Sequence, residues 1–385
     1  MRRTVFTEEH EDFRATVRSF LESRVVPVYD QWYGAGIVPR ELYHELGELG
    51  VLGIEVPELY GGAGVESFTF NAVLAEEVAR AGVSLGAAGA HTDLCLPYLT
   101  ELATEEQKKR WLPGFVSGEI MFAIAMTEPG TGSDLAAIRT TARLSEDGGH
   151  YILNGAKTFI TGGVHAERVI VCARTSPPRE DDRRHGISLL VVDAHSPGYT
   201  VGRKLDKLGL RTSDTAELSF TDVMVPTSDL LGAENRGFAH LSRNLPRERL
   251  SIAVGAHAQA RAALRFTIEY TRGRTAFGRP VAEFQNTKFE LAAAQTEADA
   301  VEAVVDRALA AHDRGELTAV DAASAKLFCT EAAGRIIDRC LQLHGGYGYV
   351  TEYPIARLYA DNRVNRIFGG TSEVMKIIIA KSMGL

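Results

Sequence analysis

The chain has 385 residues, 45% of them hydrophobic and 24% charged, with a formal net charge of −8. This is the balance of an ordinary globular protein with two or three domains. The acidic excess argues against nucleic acid as the main partner, and no apolar run approaches the roughly 18 residues of a membrane span.

The N-terminus, MRRTVFTEEHEDF, has neither an apolar signal core nor the acid-poor character of a transit peptide, so a cytoplasmic protein is expected. Phe13, Val17, Phe20 and Leu21 recur at i, i+4, i+7 and i+8, which predicts a helix capped by Thr7. A second helix over Glu41 to Leu49 stops near Gly50, and a third over Phe68 to Ala81 stops at Gly82. Thr104 and Gln107 form a capping-box pattern before another. From Met121 the texture changes. MFAIAM, YILNG, RVIVCAR and ISLLVVD are short apolar or β-branched runs separated by turn-rich segments, which predicts a β domain reaching about Asp229. Leu241 to Arg272, Glu283 to Asp313 and Ala319 to Leu343 are long, alanine-rich and amphipathic, and with a helix in the tail they predict a bundle. The expected class is α+β: an N-terminal helical domain over 1–120, a middle β domain over 121–236 and a helical bundle over 237–385.

Several familiar chemistries are absent. GGAGVES and HGGYGYV do not fit GxGxxG in spacing or context, and there is no GxxxxGK[ST], HExxH or GxSxG. The eleven histidines are scattered, and the four cysteines, Cys95, Cys172, Cys329 and Cys340, form no CxxC pair. No metal site is expected, and the thiols read as buried and reduced.

Five other blocks stand out. Ala125-Met-Thr-Glu-Pro-Gly-Thr-Gly-Ser-Asp134 follows a strand, and its tight turn offers hydroxyls and backbone N–H groups that can cradle a phosphate or the polar edge of a ring. Gly155-Ala-Lys-Thr-Phe-Ile-Thr-Gly-Gly163 and Lys207-Leu-Gly-Leu-Arg-Thr-Ser-Asp-Thr215 follow on the β domain. Arg274-Thr-Ala-Phe-Gly278 opens a connection in the bundle. Gln342-Leu-His-Gly-Gly346 precedes a tail that carries Arg366-Ile-Phe-Gly-Gly-Thr-Ser-Glu-Val374.

In this order and spacing the blocks resemble the acyl-CoA dehydrogenase family over nearly the whole chain, most closely its long-chain branch. The resemblance implies a helical domain, a β-barrel-like domain and a C-terminal four-helix bundle, with FAD between the last two and a homotetrameric assembly. It implies that Met126, Thr127 and Ser133 contact FAD, that Phe159 supplies a ring beside the flavin, and that Thr161 bonds near flavin N5. Arg274 and Phe277 are implied to reach the FAD of a neighbouring subunit, joined by Gln342, Gly345 and Gly346. Thr371 and Glu373 match tail positions that touch the cofactor, although glutamine is common where Glu373 stands. Ser133 and Arg249 are also expected at the substrate. The implied reaction converts an acyl-CoA thioester to its trans-2-enoyl form, with electron-transfer flavoprotein as acceptor.

In much of that family the catalytic base immediately precedes a Gly-Thr pair. Here that position is Gly369, which offers only a backbone N–H. The long-chain and isovaleryl branches carry the base on a bundle helix instead, at a position matched by Glu248 in PRERL. A glutamate at 369 would crowd the same carbon, so a glycine there leaves Glu248 room to act. The bland reading of Glu248 is a solvated helix residue pairing with Arg243, Arg247 or Arg249. Two other functions compete: a flavin-dependent monooxygenase or oxidase on the same fold, and a non-catalytic homologue that binds acyl-CoA or an acyl carrier.

Overall fold

The structure is a computed structural model, described over residues 3–385. Its N-terminal helices are α1 (Glu8–Phe20), α2 (Tyr29–Ala35), α3 (Glu41–Glu48), α4 (Thr69–Ala81), α5 (Leu96–Leu102) and α6 (Glu105–Ser117). Thr7 takes the N-cap position of α1. Thr104 caps α6, its side chain accepting from Gln107 N. Two π-helical turns, Leu21–Val25 and Ala90–Cys95, were not legible in the pattern. Glu77 on α4 is buried and takes ion pairs from Arg14 and Arg18 on α1 and from Arg80, which locks the first helix onto the body.

Strands β1 (Phe122–Ala125), β2 (Thr141–Leu144), β3 (His150–Thr161), β4 (Arg168–Arg174), β5 (Ile187–Asp193), β6 (Tyr199–Lys204), β7 (Thr215–Pro226) and β8 (Leu230–Leu231) form one sheet. The path runs β6-β7-β3-β2-β4-β5-β8, and β1 pairs in parallel with β4. β5 and β7 are separated on that path by three strands, yet they come within 8 Å, so the sheet curls on itself. The central strands β4 and β5 are buried on both faces, which is why their sequences read as continuous apolar runs. Ile170, Cys172, Leu189 and Val191 pack outward on Trp111 and Phe115 of α6. Val169, Val171, Leu190 and Val192 pack inward on Leu218, Phe220 and Val223 of β7.

The C-terminal region holds α7 (Gly237–Gly273), a hairpin of β9 (Thr275–Ala276) and β10 (Arg279–Pro280), then α8 (Gln285–Asp313) and α9 (Ala319–Leu343). Two shorter helices, α10 (Pro354–Asn362) and α11 (Ser372–Ser382), close the chain. α7 begins four residues before the expected Leu241. Small residues on the facing stripes, among them Ala253, Ala256, Ala260, Ala332 and Ala333, form the cores between α7, α8 and α9. Asp313, at the end of α8, accepts from Ser67 Oγ, Phe68 N and Thr69 Oγ1, which ties the start of α4 to the bundle.

Candidate active site

Pro246 lies within α7 and cannot donate the N–H that would bond the carbonyl of Ser242. The helical ladder is therefore open one turn ahead of the segment Arg247-Glu-Arg249. Arg247 leaves on the other side of the helix, paired with Glu55 at 2.6 Å. Ser251, one turn on, donates to Asp93 at 2.5 Å, and Asp93 also accepts from Asn71 Nδ2 and Thr92 Oγ1. These bonds fix the π-helical turn Ala90–Cys95 against α7.

Glu248 faces the tail. A Cβ added to Gly369 would collide with Ile252 Cδ1 and would lie 3.4 Å from Glu248 Oε1 and 3.6 Å from Lys326 Cε. The three arginines that could pair with Glu248 have other partners. Arg247 is bonded to Glu55, Arg243 to Glu101, and Arg249 is buried with its Nε donating to Gly369 O at 3.3 Å. Solvent touches part of Glu248, yet protein atoms crowd its carboxyl group. That burial raises its pKa, with the charges of Arg249 and Lys326 pulling the other way. Burial, and then the Glu248 charge, push up the pKa of Cys95 and Tyr98 on the opposite wall, so both stay neutral.

Gly369 and Gly370 have φ of +62° and +97°, the left-handed region where glycine carries no Cβ penalty. The turn leads into α11, where Thr371 accepts from Val374 N as N-cap. Glu373 sits exposed in the first turn of that helix, and its pKa is lowered by backbone N–H donation and Thr371.

A second group lies on the sheet. Lys157 is buried and donates to Glu128 Oε1 at 2.9 Å and to Met126 O at 3.0 Å. Glu128 also accepts from Arg139 N and Thr140 N. Burial works against its charge, but Lys157 and these donors outweigh it and hold its pKa down. Thr158 N donates to Thr127 O, and the β3–β7 register shifts between Lys157 and Ile160. The irregularity turns Phe159 outward at φ +60°, 66% exposed, beside the half-buried Met126, Thr127 and Thr161. Ser133 is exposed on the following loop.

The third group stands at the far end of α7, about 39 Å along the helix from Glu248 at 1.5 Å per residue. Arg274 is exposed, its guanidinium 5.5 Å from the Tyr347 ring. Phe277 is 96% exposed at the tip of the β9–β10 hairpin with φ +50°, a strained placement for an aromatic residue. Gln342, Gly345 and Gly346 are exposed nearby on the segment held by Tyr270, whose ring stacks on His344 and whose hydroxyl donates to His344 O.

The structure thus brings Glu248, Arg249 and Gly369 together, gathers Met126, Thr127, Phe159 and Thr161, and puts Arg274 and Phe277 at the far end of α7 from Glu248. Four residues of these groups were not singled out in the sequence: Lys326, Ile252, Glu128 and Lys157. Lys326 carried a signal, since it falls in the apolar stripe of α9 with Ala322, Cys329 and Ala333.

A helical domain, a curled sheet and a long-helix bundle, with the Glu248 carboxylate crowded against the Gly369 turn, make an α+β enzyme scaffold. The chain belongs to the acyl-CoA dehydrogenase family. It matches that family's N-terminal domain over residues 7–119, its middle domain over 123–223 and its C-terminal domain over 235–384. It is 42% identical to the mitochondrial long-chain specific acyl-CoA dehydrogenase of Sus scrofa over 381 residues, covering 99% of this chain and 88% of the relative. The crystal structure of an acyl-CoA dehydrogenase from Geobacillus kaustophilus superposes with a TM-score of 0.96 at 46% identity, covering all of both chains. An acyl-CoA dehydrogenase from Bacillus anthracis solved with FAD superposes at 0.91 and 32% identity, over 98% of this chain and 67% of that one.

The residues present suit FAD. Gly130, Gly132, Gly345 and Gly346 would meet no atom of this chain with an added Cβ, so their backbones are open to close approach. Exposed rings, hydroxyls and Arg274 offer the stacking and charged contacts that an isoalloxazine and a diphosphate need.

Proposed function

We propose that this protein removes one α- and one β-hydrogen from an acyl-CoA thioester, with Glu248 as the base that takes the α-proton. The observation that carries the assignment is the approach of the Glu248 carboxylate to the position a Gly369 side chain would occupy. Bound FAD supplies the acceptor for the β-hydride at flavin N5. The chain's residues do the rest. Glu248 stands on a rigid helix and must be ionised to accept the proton. Gly369 presents its N–H to the thioester oxygen, where negative charge grows as the α-proton leaves. The surrounding burial strengthens that donation by keeping water out.

Met126, Thr127, Ser133, Phe159, Thr161, Thr371 and Glu373 are proposed to hold FAD in the same subunit. Arg274, Phe277, Gln342, Gly345 and Gly346 are proposed to contact the FAD of a neighbour. The distance of Arg274 from Glu248 along α7 supports that division, and a homotetramer is proposed with it. Arg249 is proposed to serve the substrate through the carbonyl it holds at Gly369. The division into 1–120, 121–236 and 237–385, electron-transfer flavoprotein as acceptor, and a cytoplasmic location are carried forward as parts of the same proposal. No helix among the described residues is long and apolar enough to cross a membrane.

The test is anaerobic titration of the yellow protein with straight and branched acyl-CoAs. Glu248→Gln keeps FAD and ligand binding and slows flavin bleaching by about 10²–10⁴-fold, the span of general-base catalysis. Near-normal bleaching in that variant would remove Glu248 from the role.

A further inference from the structure

Resting on the assignment of Glu248 as base, we propose that Lys326 is a positioning residue for proton abstraction: it holds the Gly369–Gly370 turn in place and keeps Glu248 ionised.

The turn needs a holder. Upstream, Ile367 N and Phe368 N bond to Val364 O and finish a 3₁₀ turn. Downstream, Thr371 caps α11 and Ser372 Oγ donates to Glu331 at 2.7 Å. Gly369 and Gly370 are the link between these anchors, and glycines are the residues with the widest torsional freedom. Two cations close that freedom. Arg249 Nε donates to Gly369 O, and Lys326 Nζ donates to Gly370 O at 2.7 Å. Each bond fixes one peptide plane. Together they set the plane on either side of Gly370, and the peptide that carries the Gly369 N–H is confined between them and the bonded Phe368 N–H.

The lysine is placed at a cost. It is 1% exposed, and its hydrogen-bond partner is a neutral carbonyl rather than a carboxylate. Burial first, then repulsion from Arg249, bring its pKa down to about 8 against the attraction of Glu248 and Glu331. A structural contact to one carbonyl could be made by a neutral donor. A cation here does something further: it favours the charged form of the adjacent carboxylate. The groups facing Glu248 are Arg249 on its own helix, Lys326 on α9, and the neutral Cys95 and Tyr98 on the wall of α5 and the π-helical turn. Only the two cations oppose its desolvation.

The test uses the FAD-loaded enzyme, with Lys326→Met and Lys326→Gln compared against wild type. FAD content, melting temperature and the pH profile of flavin bleaching are measured. Both variants retain FAD, and both move the acid limb of the profile upward by about one pH unit, because a lowering influence on Glu248 is gone. Below that limb the rate falls about tenfold per pH unit. Lys326→Gln can still donate to Gly370 O and recovers most of its kcat at high pH. Lys326→Met lacks the donor and stays about tenfold or more low in kcat, with KM within about threefold of wild type. An unmoved acid limb in FAD-replete variants overturns the proposal. So does failure of both variants to retain FAD and a wild-type melting transition, which marks the lysine as purely structural. Full bleaching by Glu248→Gln instead overturns the parent assignment, so the two failures are distinct.

Discussion

Two pairs of adjacent glycines stand in the last fifty residues, and they are glycine for opposite reasons. Around Gly369–Gly370 the chain itself fills the space. An added Cβ at 369 strikes Ile252, and one at 370 lies 2.7 Å from Met375 Cε. Around Gly345–Gly346 an added Cβ meets no atom of the chain within 4 Å. Gly345 has φ of +57°, so its backbone alone explains it, but Gly346 has no such requirement. The boxed pair is packed into the chain beside Glu248, the base proposed above. The open pair is a surface prepared for something that arrives from outside the chain, which is the role proposed for it toward the neighbouring subunit's FAD.

Gly369→Ala breaks the boxed turn. It places a Cβ in the left-handed region, at about 1–2 kcal/mol, and overfills a packed site, at about 1–3 kcal/mol. A stability loss of about 2–5 kcal/mol is expected in denaturant melts, with bleaching slowed about 10²-fold or more as the Gly369 N–H and Glu248 are pushed apart. A variant as stable as wild type would mean that Ile252 yields freely and that the box is not tight.

The wild-type pH profile sharpens the same point. Burial raises the pKa of Glu248 more than Arg249 and Lys326 lower it. The base acts when ionised, so the rate falls as pH drops through a midpoint above the ordinary carboxylate value near 4.3. A midpoint at or below that value in kcat/KM would show Glu248 to be solvated in the free enzyme.

Much of the fold could be read in the chain because local chemistry and global packing agree. α9 was expected over Ala319 to Leu343 and is found there, since Thr318 caps one end and the apolar stripe runs unbroken to the other. β4 and β5 were legible as apolar runs because both of their faces are covered. The π-helical turn at Ala90–Cys95 was not, because it depends on bonds from Asn71 and Ser251 to Asp93, which lie far away in sequence. The outward turn of Phe159 was hidden likewise, as it comes from a register shift between β3 and β7. At the site, Glu248 and Gly369 were found as a pair of residue types. Lys326 was missed because its meaning lies in a bond to Gly370, 44 residues away.

The open pair gives smaller effects. Gly345→Ala is expected to cost about 1 kcal/mol, the left-handed strain alone, because the added methyl has space around it. Gly346→Ala is expected to stay within about 0.5 kcal/mol of wild type in the FAD-free chain, as surface substitutions away from special features do. Its effect should fall on the cofactor instead. A methyl at 346 stands between the backbone and whatever approaches it, so FAD affinity, measured by reconstitution of the stripped protein, drops by about tenfold while the melting temperature of the stripped chain holds. The two glycine pairs would then separate cleanly by experiment, one read in stability and chemistry and the other in binding. An unchanged FAD affinity would leave Gly346 with no proposed partner, and the division of the FAD site between subunits would rest on Arg274 and Phe277.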